Sequence, residues 1–343
     1  MSEFRRDVLT GQWTIIAEER QARPKDLRMK SDELSDGSIC RFCPGHEKET
    51  TPEVRAVRLT SPLPDSPGWS IRVIPNKFPI LQSSFSHGVL VQHEKNTLGR
   101  FDEALAGNGI HELVISAAEH WKDASTYTVD HWDLLLAVCQ QRIHELLHVK
   151  GIKHVILFEN RGAMAGASQS HPHLQLLASP LVPNNIIAKL CNARVHYTKT
   201  TRCLFCDLLK REEREGTRMV MTEDSYCSLA PYASRVPYEL LILPRAHRKS
   251  FTEIPQGERR RLGAHLKDLF QRLHRILGKF SYNWVLHTSP VLKESHDESM
   301  YHWHVEIIPR FSQLAGYEWG AGMFVNSKSP ELAADELRRM ARA

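Results

Sequence analysis

The sequence Gly-Ala-Ser-Gln-Ser-His-Pro-His-Leu-Gln, at residues 166–175, carries the strongest structural signal in the chain. Within it His171, His173 and Gln175 stand two residues apart, and two leucines follow. On a β-strand this spacing places the three polar side chains on one face of a sheet. A lone His-x-His pair is more often two core histidines with satisfied hydrogen bonds than a catalytic site. The neighbouring sequence is therefore needed to distinguish a catalytic strand from a buried structural one.

A short, glycine-rich segment leads into this strand. Residues 160–168 read Asn-Arg-Gly-Ala-Met-Ala-Gly-Ala-Ser. Because glycine has no side chain, backbone N–H groups in such a segment can approach an anion, and Ser168 adds a hydroxyl donor. An imidazole beside a phosphate-binding segment is suited to attack phosphorus as a covalent nucleophile. The segment therefore favours a catalytic site on the strand.

Four of the seven cysteines form two Cys-x-x-Cys pairs, Cys40/Cys43 and Cys203/Cys206. In a reducing compartment such pairs indicate metal or redox chemistry rather than disulfides. A thioredoxin-like redox pair opens a helix after a strand of a βαβ unit, and neither pair is predicted to do so. The two pairs are therefore interpreted as metal ligands.

The two halves of the chain carry the same features in the same order. Each has a Cys-x-x-Cys pair, a strand that ends at a histidine, a helix with one apolar stripe, and a His-x-His pair. This order predicts a duplicated α+β unit with two antiparallel sheets and packed helices, divided into domains 1–195 and 196–343. Only the first half has the glycine-rich segment and the glutamine, so only that half is expected to be catalytic.

Each half also supplies four candidate metal ligands. The strand-end histidine and the first histidine of the pair can complete a Cys₂His₂ tetrahedron, which favours zinc. We expect two structural zinc ions per chain. A zinc-bound imidazole nitrogen cannot attack phosphorus, so His173 rather than the first histidine of its pair is the expected nucleophile. The predicted ligands are Cys40, Cys43, His120 and His171 in the first half, and Cys203, Cys206, His247 and His302 in the second.

Three motifs resemble the active-site signature of the galactose-1-phosphate uridylyltransferase family: Asn-Arg-Gly at 160–162, Gly-x-Ser at 166–168 and His-Pro-His-x-Gln at 171–175. That family is the transferase branch of the histidine-triad superfamily, whose ordinary members read His-φ-His-φ-His and mostly hydrolyse nucleotides. Gln175 takes the third place here, and glutamine can hydrogen-bond a phosphoryl oxygen but cannot transfer a proton at neutral pH. The resemblance implies two histidine-triad-like domains and a nucleotidyl-histidine intermediate that waits for a phosphate acceptor.

The resemblance also implies roles for individual residues. In the family an arginine before a proline reaches the phosphates, although a solvated basic loop explains the N-terminal residues equally well without the resemblance. An asparagine after a strand lies near base and ribose. A Gly-Tyr-Glu segment binds the hexose in the partner's active site, which implies a homodimer. The implied substrate-binding residues are Arg23, Asn76, Asn160, Gly166, Ser168, Tyr317 and Glu318, beside His173 and Gln175 as catalytic residues.

Two activities fit these motifs. Gly-Tyr-Glu at 316–318 favours a UDP-glucose:galactose-1-phosphate uridylyltransferase working by ping-pong transfer, and this is the predicted function. Gly-x-Gly at 320–322 and Asn-x-x-x-Pro-Glu at 326–331 resemble the related ADP-glucose phosphorylase, so adenylyl transfer to phosphate is the alternative. A hydrolase of dinucleotides, a non-catalytic zinc-stapled nucleotide-binding protein, and iron at the second metal site are further alternatives.

Composition and charge agree with an enzyme acting on small molecules. The 343 residues are 41% hydrophobic and 25% charged, as in ordinary globular proteins. The net charge of +5 comes without a long basic run, so nucleic acid is not an expected partner. The family resemblance implies a nucleotide-sugar and a hexose 1-phosphate as partners. No apolar run approaches the ~20 residues of a membrane span, and the N-terminus lacks a hydrophobic signal core. No membrane association and a cytoplasmic location are expected.

Overall fold

The protein is described by a computed structural model over residues 2–18, 40–58, 63–83, 85–86, 89–90, 106–291 and 299–342. The predicted phosphate ligand Arg23 lies outside the described residues. Within these ranges, no helix is long and apolar enough to cross a lipid bilayer.

Strands and helices are found in both halves of the chain. The strands are β1 (Glu3–Arg6), β2 (Trp13–Ile16), β3 (Arg55–Arg58), β4 (Trp69–Pro75), β5 (Phe85–Ser86), β6 (Val89–Leu90), β7 (Ile110–Ile115), β8 (His154–Arg161), β9 (His173–Ser179), β10 (Met219–Thr222), β11 (Tyr226–Leu229), β12 (Leu240–Pro244), β13 (Ser281–His287), β14 (His304–Arg310) and β15 (Phe324–Asn326). The helices are α1 (Val129–Leu147), α2 (Asn184–Thr200), α3 (Leu204–Glu215), α4 (Gln256–Leu277), α5 (Gly316–Ala321) and α6 (Pro330–Arg339).

Ten strands form one antiparallel sheet in the order β10-β11-β12-β14-β13-β8-β9-β7-β4-β3. The first half contributes five strands and the second half five more, in matching order. The two halves meet where β8 pairs with β13, from Arg161 opposite Tyr282 to Ile156 opposite His287. The predicted α+β fold with antiparallel sheets is confirmed, and the sheets of the two halves are joined edge to edge. This pairing satisfies backbone groups that each half alone would expose.

The two predicted apolar stripes lie on α1 and α4, which pack against each other and against one face of the sheet. Leu174 and Leu176 of β9 belong to this apolar cluster. Because side chains alternate along a strand, His173 and Gln175 project from the opposite face. The helices therefore leave the other face of β9 available for a polar site.

Strands β1, β2 and β15 form a separate three-stranded sheet in which β15 runs parallel to β2. Arg5 on β1 donates to both carboxylate oxygens of Glu331 on α6, at 2.9 and 3.0 Å. The N-terminal strands are thereby attached to the C-terminal end of the chain. The predicted boundary between residues 195 and 196 falls within α2, and the division into two domains stays a prediction.

Several candidate ligands lie outside the strands predicted to carry them. Strand β9 begins at His173, so His171 precedes it, separated by a proline that cannot donate to a ladder hydrogen bond. Strands β7 and β12 end before His120 and His247, which lie in the segments that follow. Cys203 is the N-cap of α3, so the second cysteine pair does open a helix. It follows α2 rather than a strand, unlike a thioredoxin-like pair.

Gly162, directly after β8, is a position where only glycine fits. Its φ of 81° and ψ of 159° lie in a region that is essentially restricted to glycine. A Cβ built there would lie 2.2 Å from Oγ of Ser281 on β13. Gly166 also has a positive φ, of 80°, but a Cβ at that position would meet nothing within 4 Å.

Gly162→Ala should lower the free energy of unfolding by about 3 kcal/mol, because backbone strain and steric overlap each cost about 1–3 kcal/mol. Gly166→Ala is the matched control. It should cost only about 1–2 kcal/mol, since it adds left-handed strain without overlap. Urea unfolding of both variants measures the difference. Equal losses for the two variants would contradict the close contact between the halves.

Candidate active site and metal centres

The four predicted ligands of the first half converge at one point. Their sulfur and ring nitrogen atoms all lie within 4.8 Å of one another. Nδ1 of His171 lies 3.6 Å from the sulfurs of Cys40 and Cys43, and Nδ1 of His120 lies 3.4 Å from the sulfur of Cys43. Tetrahedral zinc, with bonds of about 2.3 Å to sulfur and 2.0–2.1 Å to nitrogen, separates such donor atoms by about 3.6 Å. The cluster therefore fits a metal ion such as zinc.

A hydrogen bond determines which nitrogen of His171 faces the cysteines. Its Nε2 donates to the carbonyl of Ala117 at 2.8 Å, so Nδ1 keeps its lone pair. Burial lowers the pKa of His171 to about 4, which keeps the ring neutral. A neutral imidazole oriented by a carbonyl on its other nitrogen is the usual arrangement of a metal-binding histidine.

The second half repeats the cluster. The donor atoms of Cys203, Cys206, His247 and His302 also lie within 4.8 Å of one another. The sulfur of Cys206 is 3.5 Å from Nδ1 of both histidines. Among the described residues, Nε2 of His302 has no hydrogen-bond partner, in contrast to Nε2 of the equivalent histidine in the first half. Both tetrads could bind a metal such as zinc.

A third group, His287, His304 and Glu306, also has the composition of a metal site. However, Nζ of Lys189 lies 2.7 Å from Nε2 of His304 and 2.5 Å from Oε1 of Glu306. The lysine ammonium contacts the atoms that a metal would need. This group therefore gives no support to the alternative of iron in the second half.

His173, the predicted nucleophile, is only 6% exposed. Its Nδ1 donates to the backbone carbonyl of His171 at 2.8 Å, which leaves the lone pair on Nε2. Burial lowers the pKa of His173, so the ring is neutral near pH 7. The ring of Phe42 packs edge-on against it at 5.5 Å between centroids. A neutral, oriented imidazole with one free nitrogen can attack an electrophile.

His173 lines a cavity of about 140 Å³. The cavity brings together three residues predicted from the sequence, namely Asn76, Ser168 and Gln175. The lining also contains Arg41, whose positive charge suits a phosphate-bearing ligand. The arrangement places His173 next to groups that can hold an anion.

His111 on β7 contacts Gln175 and was missed by the sequence analysis. Nε2 of His111 lies 2.9 Å from Oε1 of Gln175, and the histidine is only 4% exposed. Burial lowers its pKa, and the hydrogen bond to Gln175 opposes that shift. Nδ2 of Asn76 lies 3.3 Å from both of its ring nitrogens. No local motif marks this histidine, because its partner is 64 residues away along the chain.

The glycine-rich segment forms a tight turn rather than a set of free amides. The backbone N–H groups of residues 165–167, including that of Gly166, donate to carbonyls within the segment. They are therefore already used, contrary to the expectation that they bind an anion. Ser168 follows and lines the cavity. Asn160 accepts a hydrogen bond at 2.8 Å from Asn283 of the second half, which also donates to the carbonyl of Ala165 at 3.0 Å.

Tyr317 and Glu318, the residues predicted to meet the sugar, are not among the residues that line the His173 cavity. They lie on the short helix α5, where 45% of Tyr317 is exposed. Glu318 accepts a hydrogen bond from the backbone N–H of Ala315 at 3.0 Å. Within one chain, the structure does not bring this pair to the lining of the His173 cavity.

Comparison with protein families covers nearly the whole chain. The family described as galactose-1-phosphate uridyl transferase, N-terminal domain, matches residues 1–183. The family described as galactose-1-phosphate uridyl transferase, C-terminal domain, matches residues 191–340.

Individual relatives agree with this assignment. ADP-glucose phosphorylase from Arabidopsis thaliana is 33% identical over 98% of this chain and 93% of the relative. Galactose-1-phosphate uridylyltransferase from Thermotoga maritima is 26% identical over 98% of both chains. The crystal structure of the Arabidopsis ADP-glucose phosphorylase with bound ADP-glucose superposes with a TM-score of 0.81 at 28% identity, over 98% of this chain and 99% of that one. The predicted family is confirmed, and the chain belongs to the galactose-1-phosphate uridyl transferase family of nucleotidyltransferases.

Proposed function

We propose that the protein transfers a nucleotidyl group from a nucleotide-sugar to a phosphate-bearing acceptor, through a covalent intermediate on His173. The observation that carries this proposal is the hydrogen bond that orients this histidine. Its Nδ1–H is held by the carbonyl of His171, so the lone pair of Nε2 is available beside the cavity. Gln175, in the same cavity, can hold a phosphoryl oxygen without taking part in proton transfer.

The reaction has two displacement steps. In the first, Nε2 of His173 attacks the α-phosphorus, the phosphorus–oxygen bond to the hexose 1-phosphate breaks, and that group leaves with the electron pair. The hydrogen bond from Nδ1–H to the His171 carbonyl stabilises the positive charge that develops on the ring. In the second, a phosphate oxygen of the acceptor attacks the same phosphorus and the phosphorus–nitrogen bond breaks. The imidazole returns to its neutral state without a net change in protons.

The remaining predicted residues would position the substrate. Gln175 and Ser168, which line the cavity, would hold phosphate oxygens, together with Arg23 by analogy with the family. Asn76 lies in the turn that borders the cavity and would meet the base and ribose. Asn160 and Gly166 would act through the shape of the turn that precedes Ser168.

We further propose that each Cys₂His₂ tetrad holds a structural zinc ion, giving two per chain. The separations between sulfur and nitrogen support this metal, and zinc with four protein ligands has no position for substrate. When bound, zinc would cross-link distant segments of the chain. Under this proposal His171 takes no part in the chemistry. Its ring would bind the metal and so fix the position of the neighbouring strand.

Tyr317 and Glu318 would meet the sugar only if another copy of the chain presented them. The exposed position of Tyr317 on α5 supports a homodimer, as the family resemblance implies. The neighbouring Trp319 is 75% exposed, and a large exposed aromatic side chain of this kind suits an interface.

Two candidate activities differ in the base of the nucleotide and in the acceptor of the nucleotidyl group. ADP-glucose phosphorylase activity, adenylyl transfer to inorganic phosphate, is supported by the 33% identity with the Arabidopsis enzyme. Uridylyl transfer from UDP-glucose to galactose 1-phosphate, the activity favoured by the Gly-Tyr-Glu motif, is supported by a lower identity of 26%. We favour the phosphorylase and keep the uridylyltransferase as the second candidate.

Activity assays should distinguish these candidates. The purified protein is incubated with ADP-glucose and phosphate, or with UDP-glucose and galactose 1-phosphate, and the nucleotide products are separated. We expect ADP and glucose 1-phosphate from the first mixture at a higher kcat/KM than UDP-galactose from the second. Turnover of uridine nucleotides alone would reverse this preference, and turnover of neither pair would refute both candidates.

Metal analysis tests the zinc proposal. The protein as purified, without exposure to chelators, should contain about two zinc ions per chain, and Cys43→Ser should contain about one with a lowered melting temperature. The exposed Cys191, outside both tetrads, provides the control Cys191→Ser, which should keep both ions. One ion or none in the unmodified protein would contradict the paired sites.

Substitution of the nucleophile tests the mechanism. His173→Gly should lower the transfer rate by more than about 10³-fold, because no neighbouring group replaces a covalent nucleophile. Its zinc content should be unchanged, whereas His171→Gly should lose one ion. His148→Gly, at an exposed helix end, is the control for histidine removal. Label from the α-phosphate of the substrate should be recovered on the peptide that contains His173 in an acid-labile, base-stable bond. Label on another residue would refute the assignment.

A further inference from the structure

His111 is a buried, polar side chain that the proposed mechanism does not use. It lies on β7, next to the strand that carries Gln175, and contacts two different elements. Its Nε2 is 2.9 Å from Oε1 of Gln175. On the other side of the ring, the backbone N–H of Ile80 donates to Nδ1 at 3.1 Å.

These two contacts determine where the ring proton is. A backbone N–H can only donate, so Nδ1 of His111 must carry the lone pair that accepts from Ile80. The proton of the neutral ring is then on Nε2, which donates to the side chain of Gln175. Because Nε2 donates, the atom of Gln175 that receives this hydrogen bond is the carbonyl oxygen Oε1. The amide NH₂ of Gln175 is left on the opposite side.

We propose that His111 is a positioning residue that holds the amide of Gln175 in one orientation, so that its NH₂ group faces the phosphoryl oxygens of the ligand. This inference rests on the proposed function and deepens it. A rotated amide would present Oε1 to negatively charged oxygens, which repel it. A fixed NH₂ group would donate to the nonbridging oxygens throughout the two displacement steps.

The same histidine connects this orientation to the turn that borders the cavity. Asn76 accepts a hydrogen bond from the backbone N–H of Phe78 at 2.9 Å, so its amide nitrogen faces His111. Ile80, which fixes the ring tautomer, belongs to the same turn. Through the N–H of Ile80 this turn holds His111, and His111 holds Gln175. The turn that would contact the nucleoside thus also determines the orientation of the Gln175 amide, which would contact the phosphate.

The fixed orientation has a consequence for side reactions. With Oε1 of Gln175 directed at His111, away from the phosphoryl group, that oxygen is not placed to accept a hydrogen bond from a water and orient it toward phosphorus. If Oε1 were released, water could attack the nucleotidyl-histidine. The phosphorus–nitrogen bond would break, the imidazole would take a proton from the water, and a nucleoside monophosphate would leave. His111 is therefore expected to favour transfer over hydrolysis.

Two substitutions distinguish the effect of the His111 hydrogen bond from the effect of the size of its ring. His111→Phe keeps a planar ring without a donor, whereas His111→Gln can place an NH₂ donor near the position of Nε2. We expect His111→Phe to lower kcat by about 10–100-fold with KM changed less than about threefold, since the NH₂ donor of Gln175 is no longer held toward the developing charge. The fraction of labelled intermediate that is hydrolysed rather than transferred should rise. His111→Gln should restore both quantities to within a few-fold of the unmodified enzyme.

The tautomer is measured independently of activity, by the ¹⁵N chemical shifts of His111 in the unmodified protein. A protonated Nε2 and an unprotonated Nδ1 are expected, and the opposite tautomer would overturn the inference. Equal kcat and partitioning in His111→Phe and the unmodified enzyme would also overturn it. If His111→Phe fails to fold, the tautomer and the His111→Gln kinetics decide. If the unmodified enzyme forms no labelled intermediate, the proposed function fails, and the ¹⁵N shifts still test the orientation.

Discussion

The hydrogen bond from Nδ1 of His173 to the backbone carbonyl of His171 is the interaction on which the site depends. It leaves the free lone pair on Nε2 and fixes the direction of the ring. The carbonyl that accepts it belongs to a residue whose own ring faces two cysteine sulfurs. A metal on that ring would hold the carbonyl, and the carbonyl holds the nucleophile. Metal binding and catalysis would thus be separate chemical functions that are linked by His171, whose ring would bind the metal and whose carbonyl orients His173.

The second half repeats this backbone arrangement but does not leave the lone pair of its histidine free. Nδ1 of His304 donates to the carbonyl of His302 at 2.9 Å, which is the same type of hydrogen bond as in the first half. However, Nε2 of His304 accepts a hydrogen bond from Lys189. Burial, followed by the lysine charge, lowers the pKa of His304 well below its ordinary value. Its lone pair is therefore occupied. Glu306 stands where the first half has glutamine, and its negative charge would repel a phosphate.

The charge of Glu306 is stabilised by its surroundings. Burial acts to raise its pKa, but Lys189 and Arg235 hold that pKa well below the ordinary value. Arg235 lies 2.6 Å from the carboxylate. The two halves thus use one scaffold for opposite purposes. The first leaves its histidine and amide available to a ligand, and the second satisfies the equivalent groups internally.

Features set by short-range spacing could be predicted from the sequence. The cysteine pairs, the histidine pair and Gln175 belong to motifs whose spacing is dictated by metal or strand geometry. Features set by strand register could not. His111 reaches Gln175 because Leu113, two residues further along β7, lies opposite that glutamine, which makes the histidine a diagonal neighbour. The internal use of the amides at 165–167 depends on the path of the turn, which glycine content alone does not define.

The junction between the halves gives the second half a direct effect on the proposed catalytic centre. Asn283 lies opposite Asn160 in the β8–β13 ladder, and its side chain donates to the carbonyl of Ala165. Ser281, on the same strand, occupies the space that a side chain at Gly162 would need. The turn that delivers Ser168 to the cavity is therefore shaped from both sides, by its own sequence and by β13. The second half can therefore determine the geometry of the proposed catalytic centre in the first half, because the two sheets share this edge.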